Sequence, residues 1–332
     1  MRYRVVALVL MSGVLGACGA ADAGRRSEAG GRVSVVTTVS PITSIAANVI
    51  GDLADIRGVV PEGTNSHTFE PPPSVAEHLA AADVVFLNGL QLEEPTKELA
   101  EQVLSDGAVL VELGDRTLSP AEHKYDFSFP KEGGKPNPHL WTNPRLAGEY
   151  AAIVRDVMSE RDPANAGAYN ANYDAFARLI DEFDEAMRTS FATIPPPQRK
   201  LLTYHDSFAY FAEDYGWEVI GAIQVADFGD PTAKEVGALI EQVRASGVPA
   251  IFGSEVFPSP VLEQIGREAG VRYVDALRDD DLPGAPGDPE HSWIGLLRFD
   301  FITMTEALGG DASALERFLP RNVATDSAKY AT

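Results

Sequence analysis

The stretch from Asp162 to Pro197, DPANAGAYNANYDAFARLIDEFDEAMRTSFATIPPP, decides the fold. Its large apolar residues are separated by threes and fours, as on one face of an α-helix: Tyr169, Tyr173, Phe176, Ile180, Phe183, Met187 and Phe191. Pro163 suits the first turn of a helix, and the three prolines at 195–197 end it. About thirty residues at about 1.5 Å each extend over roughly 45 Å, more than the width of a small domain. The pattern predicts one long helix at 163–194 that runs along two domains as a rigid spine.

Short β-rich runs alternate with helical periods on both sides of this helix, which predicts an α/β fold with mainly parallel sheets. Four strands are predicted before it, at 33–39, 56–60, 84–88 and 109–113, and four after it, at 200–204, 218–223, 250–253 and 271–277. A chain of 332 residues is also too long for one ordinary domain. We therefore expect two α/β lobes, at 33–162 and 195–332, joined by the long helix.

The N-terminus has the organisation of a bacterial lipoprotein signal. Two arginines precede an apolar run at 5–15, which is too short to span a bilayer as a mature helix. The following Leu-Gly-Ala-Cys resembles a lipobox, in which cleavage precedes the cysteine and a lipid is attached to its thiol. Residues 1–17 are thus interpreted as a signal peptide, Cys18 as the lipidation site and 18–32, rich in Gly and Ala, as a flexible tether. The alternative is an ordinary secretory signal. We expect an extracytoplasmic protein anchored to the cell membrane.

Charge and cysteine content exclude several classes of protein. The chain has 27 Lys and Arg against 49 Asp and Glu, a formal charge of −22, which argues against binding to nucleic acid or adsorption to anionic lipid. Its single cysteine excludes an intrachain disulfide and a cysteine-rich zinc site. The sequence also has no GxSxG, P-loop, GxGxxG or HExxH motif, so no enzyme activity is predicted.

Three of the six histidines follow predicted strands or precede predicted helices. They are His67, His139 and His205, and ligands of open α/β sheets bind outside the carboxyl ends of the strands. Imidazole is a common ligand of transition metals, so a metal site is one interpretation of the three together. The other three histidines are interpreted as bystanders: His78 in a helix, His123 and His291 in loops.

The segments PEGTNSHTFEP at 61–71, NPHLWTNP at 137–144 and TYHDSFAYFAEDYGW at 203–217 resemble the substrate-binding proteins of zinc and manganese ABC transporters. The resemblance covers the chain from about Val33 to the last helix and implies two α/β lobes joined by one long helix. It also implies that the histidine of each motif is a metal ligand, namely His67, His139 and His205. The implied partner is an ABC permease, and a monomer is expected.

The resemblance further implies a carboxylate ligand in the last βα loop. Aligning the segment at 270–293 without a gap places it on Asp280, with Asp275, Asp279 and Asp281 as alternatives because the motif departs from the family pattern. Three imidazoles and one carboxylate suit tetrahedral Zn²⁺, carried as cargo, although Mn²⁺ remains an alternative.

Two further expectations and two alternative functions complete the hypothesis. Glu255 could accept a hydrogen bond from a ligand histidine, or be an exposed or helix-start carboxylate. The loop at 115–138 is interpreted as a lid or weak auxiliary metal site through Glu122, His123, Asp126 and Glu132. The alternatives are a surface-anchored zinc-dependent hydrolase and an adhesin with a structural metal.

Overall fold

The computed structural model describes residues 31–224, 231–254 and 259–331. The first half contains β1 (Ser34–Thr37), α1 (Ser40–Ile50), β2 (Asp55–Gly58), α2 (Pro73–Ala80), β3 (Val84–Leu87), α3 (Glu94–Val103), β4 (Val109–Glu112) and α4 (Leu113–Thr117). Its four strands form one parallel sheet in the order β2-β1-β3-β4. All four strands therefore end at the same edge of the sheet.

Two helices follow, α5 (Pro144–Arg161) and α6 (Ala166–Ala192), with a 3₁₀ turn at Pro163–Asn165 before α6. The second half contains β5 (Lys200–Thr203), α7 (Ala209–Tyr215), β6 (Glu218–Ala222), α8 (Ala233–Ser246), β7 (Ala250–Ser254), α9 (Pro260–Ala269), β8 (Arg272–Leu277), α10 (Trp293–Ala307) and α11 (Ser313–Arg317). β5 pairs with β6, and β7 with β8, both in parallel, and β5 lies against β7. The predicted α/β fold with parallel sheets is confirmed.

The apolar face of α6 supports both halves. Tyr169, Phe176, Phe183, Met187 and Phe191 are buried in one hydrophobic cluster that also includes residues of the first sheet and of α7 and α10. Aromatic contacts connect α6 to the second half, with ring centroids of Phe191 and Phe211 5.6 Å apart. Removing a buried phenylalanine of this kind costs about 3–5 kcal/mol. The predicted long helix is thus confirmed, and its side chains belong to a core common to both halves.

Three local expectations from residue type are wrong. Asp230-Pro231 is typical of an N-cap and a first helical residue, but α8 begins at Ala233 because Thr232 and Glu235 form a reciprocal capping box. Asp206 is a residue type expected to cap α7, but α7 begins at Ala209. The lapse of the pattern after Gly114 predicts a loop from there on, but α4 continues to Thr117.

The predicted signal peptide and Cys18 lie outside the described residues, as does all of the tether before Gly31. Across the described ranges, none of the helices combines the length and the apolar character needed to cross a bilayer.

Candidate metal site

The three motif histidines are brought together from three separate segments. His67 lies in a 3₁₀ turn at Ser66–Thr68, where its backbone N–H donates to Oδ1 of Asn65 at 3.0 Å. His139 immediately precedes a 3₁₀ turn at Leu140–Thr142, and His205 follows the end of β5. The structure therefore brings together the three histidines from a 3₁₀ turn before α2, a 3₁₀ turn before α5 and the segment after β5.

The imidazoles face one another through their Nε2 atoms. Nε2 of His139 lies 3.2 Å from Nε2 of His67 and 3.2 Å from Nε2 of His205. Two ligands of a tetrahedral ion with metal–nitrogen distances of about 2.0–2.1 Å lie roughly 3.3 Å apart. The spacing therefore fits one transition-metal ion. Within 31–224, 231–254 and 259–331, these three residues are the only group of three or more metal-binding side chains.

The four candidate aspartates occupy different environments. Oδ2 of Asp279 lies 2.9 Å from Nε2 of His205. Oδ1 of Asp280 is shielded from solvent and has no hydrogen-bond partner in the described part of the chain. Both carboxylate oxygens of Asp281 accept from the backbone N–H of Gly63, at 3.0 and 2.9 Å. Asp275 is exposed on β8. Asp279 and Asp280 therefore remain as candidates for a carboxylate ligand.

Burial and neighbouring charges shift the pKa values of these groups. Burial lowers the pKa of both His67 and His139, with a further contribution from His205, so both rings are neutral near pH 7. Burial also lowers the pKa of His205, but the charge of Asp279 and its hydrogen bond raise it overall. Burial, together with the charge of Asp279, raises the pKa of Asp280 to about 8. His205 and Asp280 therefore hold most of the protons that a metal must displace.

Hydrogen bonds from the NPHLW motif hold the site together. The indole N–H of Trp141 donates to the carbonyl oxygen of Asp279 at 2.8 Å, and that of Trp293 donates to the carbonyl of Trp141 at 2.8 Å. Asn137 accepts from His139 through its side-chain oxygen. Sequence reasoning missed Asn137 and Trp141. The signal was available, since both flank the histidine within the most specific motif.

A third missed residue is Glu93, whose place beside Glu94 at the start of α3 suggests a solvated carboxylate. Its side chain is buried, and its carboxylate accepts from the backbone N–H groups of Asn88 at 2.7 Å and Gly89 at 3.2 Å. The side chain of Asn88 in turn donates to the carbonyl of Pro138 at 3.0 Å. Asn88 thus contacts Pro138, the residue before His139.

The loop at 115–138 covers the site with an apolar side chain. The ring of Phe129 lies 5.5 Å from that of His67 and 5.7 Å from that of His139, measured between centroids. Beside them is a cavity of about 290 Å³ lined by residues that include His67, Phe129 and Lys135.

The four polar side chains expected to form an auxiliary metal site in this loop do not gather into one within the described ranges. Glu255 lies outside the described residues, and His291 is buried where a surface loop residue was expected.

Comparisons with known proteins agree with this arrangement. Residues 35–307 match the family model described as ZnuA, zinc-uptake complex component A, periplasmic. The chain is 29% identical over 283 residues to the iron-binding protein YfeA of Yersinia pestis. The aligned residues cover 85% of this chain and 88% of YfeA. It is 27% identical over 301 residues to the manganese-binding lipoprotein MntA of Halalkalibacterium halodurans, with 91% and 96% covered.

The fold also matches a solved structure, the periplasmic zinc-binding protein TroA of Treponema pallidum. The TM-score is 0.75 at 24% identity, over 84% of this chain and 99% of that one. A similarity at this level of identity establishes the two-lobe fold.

Proposed function

From the premise that this chain belongs to the family of zinc-uptake complex component A, we propose that it captures one divalent metal ion, most favourably Zn²⁺, and delivers it to an ABC permease. The observation that carries this proposal is that Nε2 of His139 lies at tetrahedral ligand spacing from the Nε2 atoms of His67 and His205, in a site where His139 and His205 are buried. Binding without turnover is part of the proposal, because a closed set of four ligands leaves no position for a reacting water.

The choice of zinc rests on the donor set. Three imidazoles favour Zn²⁺ over Mn²⁺, which prefers oxygen ligands. The names of the relatives differ on this point, since YfeA is named for iron and MntA for manganese. We therefore propose Zn²⁺ as the preferred cargo and Mn²⁺ as the competitor to be tested beside it.

We propose His67, His139, His205 and Asp280 as the four ligands. The support for Asp280 is its shielded Oδ1, which has no hydrogen-bond partner in the described ranges, while the contact of Asp279 with Nε2 of His205 makes Asp279 the competing candidate. Two ligands then come from the first half and two from the second. A bound ion would crosslink the halves while the shared helix α6 resists bending, so capture involves adjustment of loops more than wide closure.

The location of the protein is also part of the proposal. Cleavage before Cys18 and lipid attachment there would hold the metal site at the outer face of the membrane, where a permease can receive the ion. The relative MntA is named a lipoprotein, which supports this arrangement. The acidic charge of −22 would attract divalent cations at long range.

Metal counting and competition titration test the function. We expect one tight ion per chain, tighter binding of Zn²⁺ than of Mn²⁺, and a loss of affinity of at least about 100-fold in His139→Ala. His78→Ala is the matched control, because His78 is a partly exposed histidine of α2 that belongs to none of the three motifs and lines a different cavity, beside Ser34 and Asp55. The proposal fails if the wild-type protein binds no tight ion or if His139→Ala keeps wild-type affinity. Chelation should leave a folded apo protein, whereas unfolding would indicate a structural metal.

A further inference from the structure

The side chain of Asn137 is fully buried between the segments that carry His139 and His205. Its Oδ1 accepts from the backbone N–H of His139 at 3.0 Å and lies 2.9 Å from Nδ1 of the same residue. Its Nδ2 donates to the carbonyl oxygen of Asp206 at 2.6 Å and to Oδ2 of Asp126 at 2.7 Å. In all four contacts the donor–acceptor distance is no longer than that of an ordinary hydrogen bond.

Backbone groups determine which way this amide points. The carbonyl of Asp206 can only accept, so the atom facing it must be the NH₂ group of Asn137. The backbone N–H of His139 can only donate, so the atom facing it must be the amide oxygen. A flipped amide would place donor against donor and acceptor against acceptor at these two positions. The orientation therefore does not depend on the protonation of Asp126 or of any histidine.

The amide orientation in turn sets the tautomer of His139. Because Oδ1 of Asn137 is an acceptor, Nδ1 of His139 must carry the hydrogen of that 2.9 Å contact. In a neutral imidazole the other nitrogen, Nε2, then carries no proton and exposes its lone pair. This is the nitrogen that lies 3.2 Å from the Nε2 atoms of His67 and His205.

We propose that Asn137 is a positioning residue, which holds His139 in the Nδ1–H tautomer, directs its Nε2 lone pair to the metal, and connects this ligand to the backbone beside His205. The inference deepens the proposed function and rests on it for its effect on metal binding. The tautomer itself is a property of the apo protein. The amide contacts both halves of the site, because its oxygen binds His139 and its NH₂ group binds the backbone carbonyl of Asp206.

The first test measures the tautomer of His139 in the metal-free protein. Long-range ¹H–¹⁵N NMR of imidazole nitrogens distinguishes Nδ1–H from Nε2–H, and spectra of the wild type and His139→Ala assign the signals. We expect Nδ1–H in the wild type, although free histidine prefers Nε2–H. A wild-type His139 with its proton on Nε2 overturns the proposal, whether or not any variant folds.

The second test compares substitutions at Asn137. Asn137→Ala should allow the Nε2–H tautomer and weaken Zn²⁺ binding by about 10–100-fold, as is typical for loss of a group that orients a metal ligand. Asn137→Asp keeps an acceptor at Nδ1 but places an oxygen against the carbonyl of Asp206 and the carboxylate of Asp126, so it should keep the Nδ1–H tautomer while it lowers stability. Unchanged tautomer and affinity in Asn137→Ala would refute the role.

Asn143→Ala is the matched control. Asn143 is equally buried and also bonds to the second half, donating to the carbonyl of Tyr210 at 3.1 Å and to Asp214 at 2.8 Å. This variant should lose stability while it keeps the wild-type tautomer and an affinity within about threefold of wild type. A loss of affinity as large as that of Asn137→Ala would show that general destabilisation is the cause. If the wild type bound no metal, the proposed function would fail, while the tautomer measurement would still decide the role of Asn137.

Discussion

The indole N–H of Trp141 donates a 2.8 Å hydrogen bond to the backbone carbonyl of Asp279. This bond joins the segment of His139, a proposed ligand, to the loop that contains the candidate carboxylates. Trp141 is fully buried, so no solvent can replace the bond if it is lost. Packing of the NPHLW motif therefore helps to fix the position of the loop that carries the candidate carboxylates.

Trp141→Phe should test this link. The substitution leaves the carbonyl of Asp279 without its buried donor, which costs about 1–3 kcal/mol of unfolding free energy, and it loosens the carboxylate loop. We expect lower stability in urea and weaker Zn²⁺ binding. Trp217→Phe is the control, because Trp217 is also buried but its Nε1 has no partner in the described ranges. Equal losses of metal affinity in both variants would contradict the proposed link.

A comparison of Asp279→Asn with Asp280→Asn should identify the carboxylate ligand. Asp280→Asn is expected to weaken Zn²⁺ binding by about 10–100-fold or more, because it removes a charged ligand from the metal. Asp279→Asn should have the smaller effect at pH 8 and should lower the pKa of His205, whose proton Asp279 stabilises. Isothermal titration of both variants is the measurement. The opposite order of affinities would assign the ligand to Asp279.

Metal affinity should rise with pH up to about pH 8. The pKa of Asp280 is raised to about 8 and that of His205 is raised above its ordinary value, so below these pKa values both groups hold protons that the metal must displace. The lowered pKa values of His67 and His139 make these rings minor competitors in the same range. Calorimetry in buffers of different ionisation enthalpy should detect proton release at pH 6.5. A constant affinity between pH 6 and 8 would contradict this ligand set.

Glu93 should make the stability of the protein depend on pH. Burial raises its pKa to about 7 from an ordinary value near 4.5, so the folded state binds this proton more tightly than the unfolded state. The stabilising contribution of the protonated form is complete below about pH 4.5 and is lost as the pH rises through about 7. The change amounts to on the order of 3 kcal/mol.

Glu93→Gln should remove that dependence. Denaturation at pH 5 and pH 8 is expected to show a smaller difference in unfolding free energy than in the wild type. A constant loss of stability is also expected, because the amide NH₂ group of Gln cannot accept the hydrogen bond from one of the two backbone N–H groups. Glu94→Gln, at the first turn of α3, is the neighbouring control and should retain the wild-type difference. The same pH dependence in Glu93→Gln and wild type would exclude Glu93 as its source.

Local patterns were sufficient for the strands and the long helix of the fold. The spacing of apolar residues from Tyr169 to Phe191 predicted α6, and the alternation of β-rich runs with helical periods predicted all eight strands. Helix starts were less predictable, because a cap depends on side-chain geometry as well as residue type. At α8 the reciprocal bonds of Thr232 and Glu235 determine the first residue, not the proline before them.

The sequence by itself determined the α/β class, the long central helix and the identity of the three histidines that meet, since periodicity and motifs are properties of short segments. Only the tertiary structure decided how these segments contact one another. It placed Asp279 against His205, left Oδ1 of Asp280 shielded and unpartnered, and buried Glu93 beneath a turn. Such contacts join residues distant in the chain, and their energies depend on burial and hydrogen-bond geometry, which no local pattern contains.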